Sequence, residues 1–561
     1  IMSYAALAAI AIQSNQNDQH GGQSIPAFDY YMAPGVLKTF KKQFKQTVYD
    51  YLELTDFISF IAINGIVREI DKLSSIEFDI SIFDGYCRDS ENLKRLFRLS
   101  YDKALQKTKR IVYQAMEAFI HNLNTMHSRA GAQVPFSSIN FGTDTSPEGR
   151  MVIEQFLLAT DAGLGKGETP IFPISIFKIK EGINYNPGDK NYDLFKLACK
   201  VSAKRLFPNF SFIDAPFNLQ YYKPDDYNTE VAYMGCRTRV LGNHVDENKC
   251  VTAGRGNLSF TSINLPRLGI KHGIVNNEKT DLKGFYEELE EKLELVKDQL
   301  LERFEIQCNK RINNFPFLLG QGVWLDSEKL KPTDKLRKIY KHGTLSVGFI
   351  GLAECLKALI GEHQGESEKA QKLGLEIITF MRKKMDEYSE KYNLNFTLLA
   401  TPAEGLSGRF TAMDKAIYGK IKGVTDREYY TNSFHVPVYY KTTVEHKIKT
   451  EAPYHALTNA GHISYIELDG DTTENVEAFE KVIRIMKESG IGYGAINHPV
   501  DRDPVCGFTG VINDTCPGCG RHEDDVKFER IRRITGYLVG TIDRFNNGKK
   551  CEERDRVKHK L

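Results

Sequence analysis

The sequence predicts an α/β fold: one large domain of alternating strands and helices, closed by a small cysteine-bearing module. Three observations carry this. From Gln133 onward, apolar runs alternate with helical stretches at the spacing of strand–helix–strand units on a parallel sheet. Ahead of them, Pro34 to Ala130 is mostly helical, with apolar residues recurring every three or four positions, as in Ile111, Ala115, Ala118, Phe119 and Leu123. Near the C-terminus, Cys506, Cys516 and Cys519 stand at metal-ligand spacing, just before Gly536 in the bulky run R-R-I-T-G-Y-L-V-G.

The composition is that of globular material, 41% hydrophobic and 26% charged, with enough apolar residues for a sizeable core. A net charge of +2 with no basic run gives no electrostatic case for nucleic acid. The ten cysteines are widely spread, so reduced thiols in a cytosolic enzyme are expected rather than a disulfide framework. The opening I-M-S-Y-A-A-L-A-A-I-A-I lacks a basic flank and soon meets Q-S-N-Q-N-D. It is too short for a membrane span and unlike a signal peptide. It resembles the interior of a domain, and a further segment is expected upstream.

The polar, Gly-rich stretch Asn15 to Phe28 reads as a site loop or short strand. Gln133 to Gly142 reads as a strand, a helix follows from Pro147, and Ile171 to Phe177 is the next strand. Gly163 to Gly167, G-L-G-K-G, lacks the full phosphate-loop pattern and is expected to be a flexible turn. Y-M-G-C-R-T-R-V places Cys236 at a tight turn, and a glycine-bounded strand lies within Gly254 to Arg267. Lys283 to Arg311 is expected as a long helix, acidic early and basic late, as the helix dipole favours. Phe349 to Leu359 reads as a helix start and Glu366 to Tyr392 as another long helix. Strands are expected at Phe396 to Ala400, Ala460 to Leu468 and Gly492 to Ile496, with a helix over Glu474 to Glu488.

Cys516-Pro-Gly-Cys519 is a knuckle of the kind that binds zinc tetrahedrally, and Cys506-Gly-Phe-Thr-Gly resembles half of a second. Position 503, where a fourth cysteine would stand, is aspartate. Asp503, His522 and Cys551 remain open as the fourth ligand. A redox C-x-x-C is the alternative, but no thioredoxin-like strand leads into the pair. Gly536 is a poor residue for such a bulky run unless something requires it.

Arg-Ile-Thr-Gly536-Tyr-Leu, with Asn547-Gly548-Lys549 and Arg556-Val557-Lys558-His559 behind it, resembles the glycyl-radical loop of the anaerobic (class III) ribonucleotide reductases. The resemblance extends over nearly the whole chain. Met234-Gly235-Cys236-Arg237-Thr238 is similar to the family's thiyl motif and lies 300 residues (536 − 236) before the glycine. Gly254-Arg255-Gly256-Asn257 matches the branch with asparagine near the ribose, the formate-using one. His127 to Gln133, with Pro135 to Asn140, resembles a barrel-strand signature that includes Ser137, Ser138 and Asn140. Thr401-Pro402-Ala403-Glu404-Gly405 resembles the loop that receives the substrate phosphates, where backbone N–H groups at a helix N-terminus suit an anion. Asn459-Ala460-Gly461-His462 matches a further segment, in which a structural histidine is as good a reading as a site histidine.

The resemblance implies a ten-stranded α/β barrel of the glycyl-radical type over 1–500, with N-terminal helices for dimer and effector binding. A zinc-ribbon module over 501–525 and the radical loop and tail over 526–561 would follow. It implies reduction of ribonucleoside triphosphates to 2′-deoxyribonucleotides, with Gly536, Cys236 and Asn257 as catalytic residues and Ser137, Ser138, Asn140 and Thr401 to Gly405 against substrate. Cys506, Cys516 and Cys519 would hold zinc. A homodimer, deoxynucleotide and ATP effectors, formate, and a separate iron–sulfur, S-adenosylmethionine-dependent activating enzyme complete the set. Two features depart from the family. No cysteine lies in Gly21 to Phe28, where the formate branch carries a second reducing thiol, and no ATP-binding cone is legible. An acyl-lyase relative is a rival disfavoured by the lack of a Cys-Cys pair, and a non-enzymatic zinc-ribbon interaction protein is the other.

Overall fold

The computed structural model describes residues 1–19, 21–53, 60–87, 90–127, 133–524, 526–534, 537–539 and 542–561. Gly536 and residues 128–132 of the barrel-strand signature lie outside the described residues. The strands run β1 (Gln23–Ile25), β2 (Ser137–Phe141), β3 (Ile174–Ile179), β4 (Asn209–Phe212), β5 (Tyr233–Met234), β6 (Thr238–Arg239), β7 (Asn257–Asn264) and β8 (Thr344–Ile350). They continue as β9 (Asn395–Ala400), β10 (Ser464–Glu467), β11 (Tyr493–Asn497), β12 (Val500–Arg502), β13 (Thr509–Gly510), β14 (Glu529–Ile534) and β15 (Tyr537–Val539).

The expected α/β class holds. One sheet has the order β1-β2-β3-β4-β11-β10, in which the first four strands are parallel and β11 joins β4 antiparallel. A second sheet, β7-β8-β9, is parallel throughout. A parallel bridge from Leu399 to Gly461 links the end of β9 to the residues entering β10, so the two sheets meet along one seam. Among the described residues these two sheets hold nine strands, and Gly461 also bridges to Thr238 of β6.

Long helices cover the outer faces, as parallel strands buried on both sides require. Phe28–Glu53, Glu91–Thr125 and Pro147–Ala162 pack on the first sheet around Phe28, Phe40, Phe44, Phe119 and Phe156. Ser146 caps the third of these, accepting from the Gly149 N–H, with Pro147 in the first turn where its missing N–H costs nothing. Leu282–Cys308 and Glu368–Tyr392 cover the second sheet, burying Leu289, Leu293, Val347, Phe349, Ile377 and Met381. In a third core Tyr233, Tyr465 and Tyr493 meet Val500 and Ile531 and so tie the C-terminal sheet to β10 and β11 of the first sheet.

One reading is corrected. Phe349 is not in a helix: it belongs to β8, and the helix begins at Leu352 after a left-handed Gly351. Strand β8 does alternate, with Leu345, Val347 and Phe349 set against Thr344, Ser346 and Gly348, and its apolar end runs on in sequence into the helix that follows Gly351. The opening segment is a helix, Met2–Asp18, packed against Glu91–Thr125. Gly163 to Gly167 is the expected turn, with all three glycines at positive φ. Among the described residues no helix is long and apolar enough to cross a membrane.

Candidate active site

Cys236 sits in the connection of a two-stranded hairpin, where Met234 pairs with Thr238 and Tyr233 with Arg239. The turn needs Gly235, whose φ of +58° is left-handed and whose missing Cβ leaves room for the Phe136 ring. Both sides of the Gly235 peptide are held. Its N–H donates to Ser138 Oγ at 2.7 Å and its carbonyl accepts from the Tyr493 hydroxyl at 3.1 Å. Below it, Asn140 exchanges hydrogen bonds with Tyr233, donating to its carbonyl at 2.8 Å and accepting from its N–H at 2.9 Å.

Ser138 and Asn140, expected to touch substrate, are therefore fully buried holders of the thiol-bearing hairpin. Ser137 is also fully buried, and its hydroxyl has no protein partner among the described residues.

Burial pushes the Cys236 thiol pKa up and the Glu404 carboxylate adds to it, while Arg237 opposes both. The group is held as S–H rather than thiolate, the form that can exchange a hydrogen atom. Arg237 is fully buried and donates through one nitrogen to the carbonyls of Ala400 (2.9 Å) and Thr401 (3.1 Å), joining the hairpin to the start of T-P-A-E-G. That loop is fixed again where the Ala403 N–H donates to Asn432 Oδ1 at 2.8 Å, and it leads into the helix Leu406–Tyr418. Burial raises the Glu404 pKa, with Lys549 and Arg237 opposing. Thr401 shares a 2.7 Å hydroxyl contact with Ser262.

Asn257 opens β7. Gly254 takes a left-handed φ of +70° that places it against Leu325, and Arg255 then pins the preceding loop. Its guanidinium donates to the carbonyls of His342, Leu241, Val251 and Gly242 at 2.8 to 2.9 Å. The Asn257 amide donates to Thr344 Oγ1 at 3.0 Å and to Ser346 Oγ, which leaves its carbonyl oxygen to accept. Gly22, Met234, Thr238, Asn257, Ser346 and Pro402 line one cavity of about 230 Å³. A larger cleft of about 760 Å³ lies beyond Arg239, Thr344 and Asn395, but neither the Cys236 hairpin connection nor Asn257 reaches it.

His462 is a structural histidine. It is fully buried, with one ring nitrogen on the Tyr233 hydroxyl (2.9 Å) and the other on the Thr458 carbonyl (2.8 Å). Burial, helped by the nearby His455 and Arg239, keeps its pKa well below the ordinary histidine value against the pull of the Thr458 carbonyl.

The C-terminal sheet approaches the same place. Strands β14 and β15 pair from Ile534 with Tyr537 back to Arg532 with Val539, and the Thr535–Gly536 connection lies outside the described residues. Arg533, three residues before the glycine, is buried beside Tyr465 and Tyr493, and the same two tyrosines neighbour Cys236. Sequence reading missed these tyrosines, because nothing in either local motif marks an aromatic residue on another strand.

Asp503, Cys506, Cys516 and Cys519 form a group whose ligand atoms all lie within 4.8 Å of one another. Cys506 and Cys516 sulfurs are 3.6 Å apart, close to the roughly 3.8 Å that two thiolates on one tetrahedral zinc would show. Asp503 is fully buried and reaches Cys519 Sγ at 3.3 Å, while Arg521 clasps its carboxylate at 2.8 to 2.9 Å. His522 instead turns to Asp514 and Thr515, and Cys551 sits on the helix Asn547–Asp555. Of the three candidates for the fourth ligand, the fold brings Asp503 alone to the cysteines.

A family model described as anaerobic ribonucleoside-triphosphate reductase matches residues 1–559. A curated relative of that name from Salmonella typhimurium is 35% identical over 467 residues, covering 81% of this chain and 63% of its own length. One from Enterobacteria phage T4 is 34% identical over 483 residues, covering 84% and 76%. The chain thus spans under two thirds of the Salmonella relative. The anaerobic ribonucleotide reductase from Thermotoga maritima, solved with dATP and CTP, shares the fold at a TM-score of 0.53 and 15% identity, covering 91% of this chain and 88% of that one.

Proposed function

This chain belongs to the anaerobic ribonucleoside-triphosphate reductase family, and on that premise we propose that it is a catalytic subunit reducing ribonucleoside triphosphates to their 2′-deoxy forms by glycyl and thiyl radical chemistry. The observation that carries the proposal is the convergence on one interior. The Cys236 hairpin and the strand entering the Gly536 connection share Tyr465 and Tyr493 as neighbours. Met234 and Thr238, either side of the thiol's turn, face the cavity that Asn257 lines.

In this reading Gly536 carries the stored radical, since an α-carbon radical is stabilised only if the carbon flattens, and a side chain would crowd that form. Cys236 gives its thiol hydrogen to the glycine, and the thiyl takes the 3′ hydrogen of the ribose. The C2′–OH bond breaks, the oxygen leaves as water, and two electrons from formate, released as carbon dioxide, complete the reduction. Cys236 returns the hydrogen to C3′. Asn257 binds near the ribose hydroxyls as a neutral amide that does not compete for their protons. The backbone of Thr401 to Gly405, at the start of a thirteen-residue helix, receives the phosphates. Ser138 and Asn140 act by positioning the hairpin, and Ser137 lies behind it. The protein's share is positioning and exclusion of water and oxygen.

Zinc held by Cys506, Cys516, Cys519 and Asp503 would supply no chemistry to substrate; it would fix the module from which β14 enters. The small core of Ile512, Cys516 and Phe528 offers little cohesion without such a cross-link. The proposal extends to a cytoplasmic homodimer with deoxynucleotide and ATP effectors and a separate radical-generating activating enzyme.

The test is anaerobic activation followed by electron paramagnetic resonance and a deoxynucleotide assay. A doublet present in the wild type and lost in Gly536→Ala, with turnover in the former, supports the reading. No radical under competent activation sinks it. Radical formation with acyl-lyase activity instead would move the chain to that branch, and zinc binding with neither would leave an interaction module.

A further inference from the structure

A buried path of hydrogen bonds runs from the glycine strand to the cysteine turn. Arg533 donates to Asn209 Oδ1 at 2.6 Å; Asn209 Nδ2 donates to the Tyr493 hydroxyl at 2.8 Å; that hydroxyl donates to the Gly235 carbonyl at 3.1 Å. The three side chains are 4%, 3% and 0% exposed, so none of these contacts competes with water.

We propose that Asn209 and Tyr493 are positioning residues that brace the Cys236 turn against β14, the strand that leads toward Gly536 in the chain. The inference rests on the radical reading above, and it concerns what sets the relation of the two reacting residues. Arg533 carries a positive charge into the interior, where among the described residues no carboxylate pairs with it and Glu467 acts only from a distance. Its other donors go to Asn497 Oδ1 (2.7 Å) and to the carbonyls of Leu206 (3.1 Å) and Ile496 (2.8 Å). Burying a charge whose direct partners are all neutral is costly, which points to a demand on where β14 ends.

The polarity of the path is fixed at every step. Arginine can only donate, so Asn209 presents its carbonyl oxygen to Arg533 and its amide nitrogen to Tyr493. The tyrosine hydroxyl, already accepting, sends its proton to Gly235. The Gly235 N–H, in the preceding peptide, donates to Ser138, so the residue before Cys236 is held at both its N–H and its carbonyl. Stacking of Tyr493 on Tyr233, with centroids 4.6 Å apart, fixes the ring as well. A hydrogen atom passed between two residues needs close, aligned approach, and a displacement of about 1 Å can cost on the order of a hundredfold in rate.

Two variants test this on the activated, full-length protein. Tyr493→Phe removes the donor to Gly235. Asn209→Asp keeps the acceptor for Arg533 and gains an ion pair, but it cannot donate, so the tyrosine hydroxyl turns to the carboxylate and releases Gly235. The brace predicts, for both, a wild-type yield of glycyl radical, unchanged KM for the ribonucleotide, and kcat lowered about 10- to 100-fold. The kinetic isotope effect with 3′-deuterated substrate should shrink, because transfer between Cys236 and Gly536 becomes the slow step. A merely structural role predicts that Asn209→Asp, with its added ion pair, is at least as active as wild type. Wild-type kcat in either variant overturns the brace. A wild type that forms no radical and turns nothing over instead overturns the proposed function, and the brace falls with it.

Discussion

Glu354 offers a prediction that can be worked through quantitatively. It sits in the first turn of the helix Leu352–Ile360 and is 3% exposed. One carboxylate oxygen accepts from the Thr431 N–H (3.0 Å) and hydroxyl (2.6 Å); the other has no partner among the described residues. Thr431 precedes Asn432, which holds Ala403 in the loop assigned to the phosphates, so Glu354 supports that loop at one remove. Burial outweighs these hydrogen bonds and pushes its pKa from 4.5 up to about 7.

The folded state therefore holds this proton more tightly than the unfolded chain does. Stability from this group is full below pH 4.5, declines as pH rises through about 7, and is flat above that. A shift of roughly 2.5 pH units corresponds to about 3.4 kcal/mol. With an unfolding entropy of about 2.1 cal/mol/K per residue over 561 residues, that is about 3 °C in melting temperature.

Glu354→Gln imitates the neutral acid and has nothing to titrate. Buried histidines slope the other way: burial lowers His342 and His498 to about 4 and His455 to about 3, so their stabilisation is lost as pH falls from 6.5. They are common to both proteins, so the difference between wild type and variant isolates Glu354. Part of the Glu354 contribution is already gone at pH 5, so melts at a fixed scan rate from pH 5 to 8 should show the wild type losing about 2 °C relative to Glu354→Gln across the range. Parallel curves would refute the assignment of a buried, protonated carboxyl.

Four shorter predictions follow from the site. Cys236→Ser should abolish turnover while leaving the glycyl radical able to form; residual turnover would place the thiyl elsewhere. Ser138→Ala strands the buried Gly235 N–H at a cost of about 1–3 kcal/mol, so kcat should fall while radical yield holds, checked by paired resonance and product assays. Asp503→Ala should lose the metal and Asp503→Cys retain it, as read by elemental analysis of the purified proteins; metal kept at wild-type level in the alanine variant would remove Asp503 from the ligand set. Air exposure of the activated enzyme should cut the chain at Gly536. The fragment beyond should stay bound in native gel filtration and separate only in denaturant, because His559 and Glu467 exchange backbone and ring hydrogen bonds at 2.8 and 2.9 Å and Val557 donates to the Val438 carbonyl.

What could be read in the sequence divides along a physical line. Motifs whose chemistry is local were legible: the cysteine knuckle, the G-R-G-N turn before Asn257, and the tight turn bearing Cys236 all landed on the features their spacing implied. Several strands were found, whereas β8, which alternates Leu345, Val347 and Phe349 with Thr344, Ser346 and Gly348, merged at its apolar end with the helix behind it. The residues that fix the geometry were not legible. Tyr493 and Asn209 stand in unremarkable sequence, and they matter because β11 brings the Tyr493 hydroxyl onto the Gly235 carbonyl and β4 brings Asn209 onto that hydroxyl. Ser138 and Asn140 show the same limit from the other direction. They lie in a segment assigned to substrate, yet β2 points both into the base of the hairpin, where a hydroxyl and an amide satisfy backbone groups that would otherwise be buried unpaired. A motif thus reports that a position is constrained, and only the packing tells whether the constraint is a ligand or the peptide that carries the reacting atom.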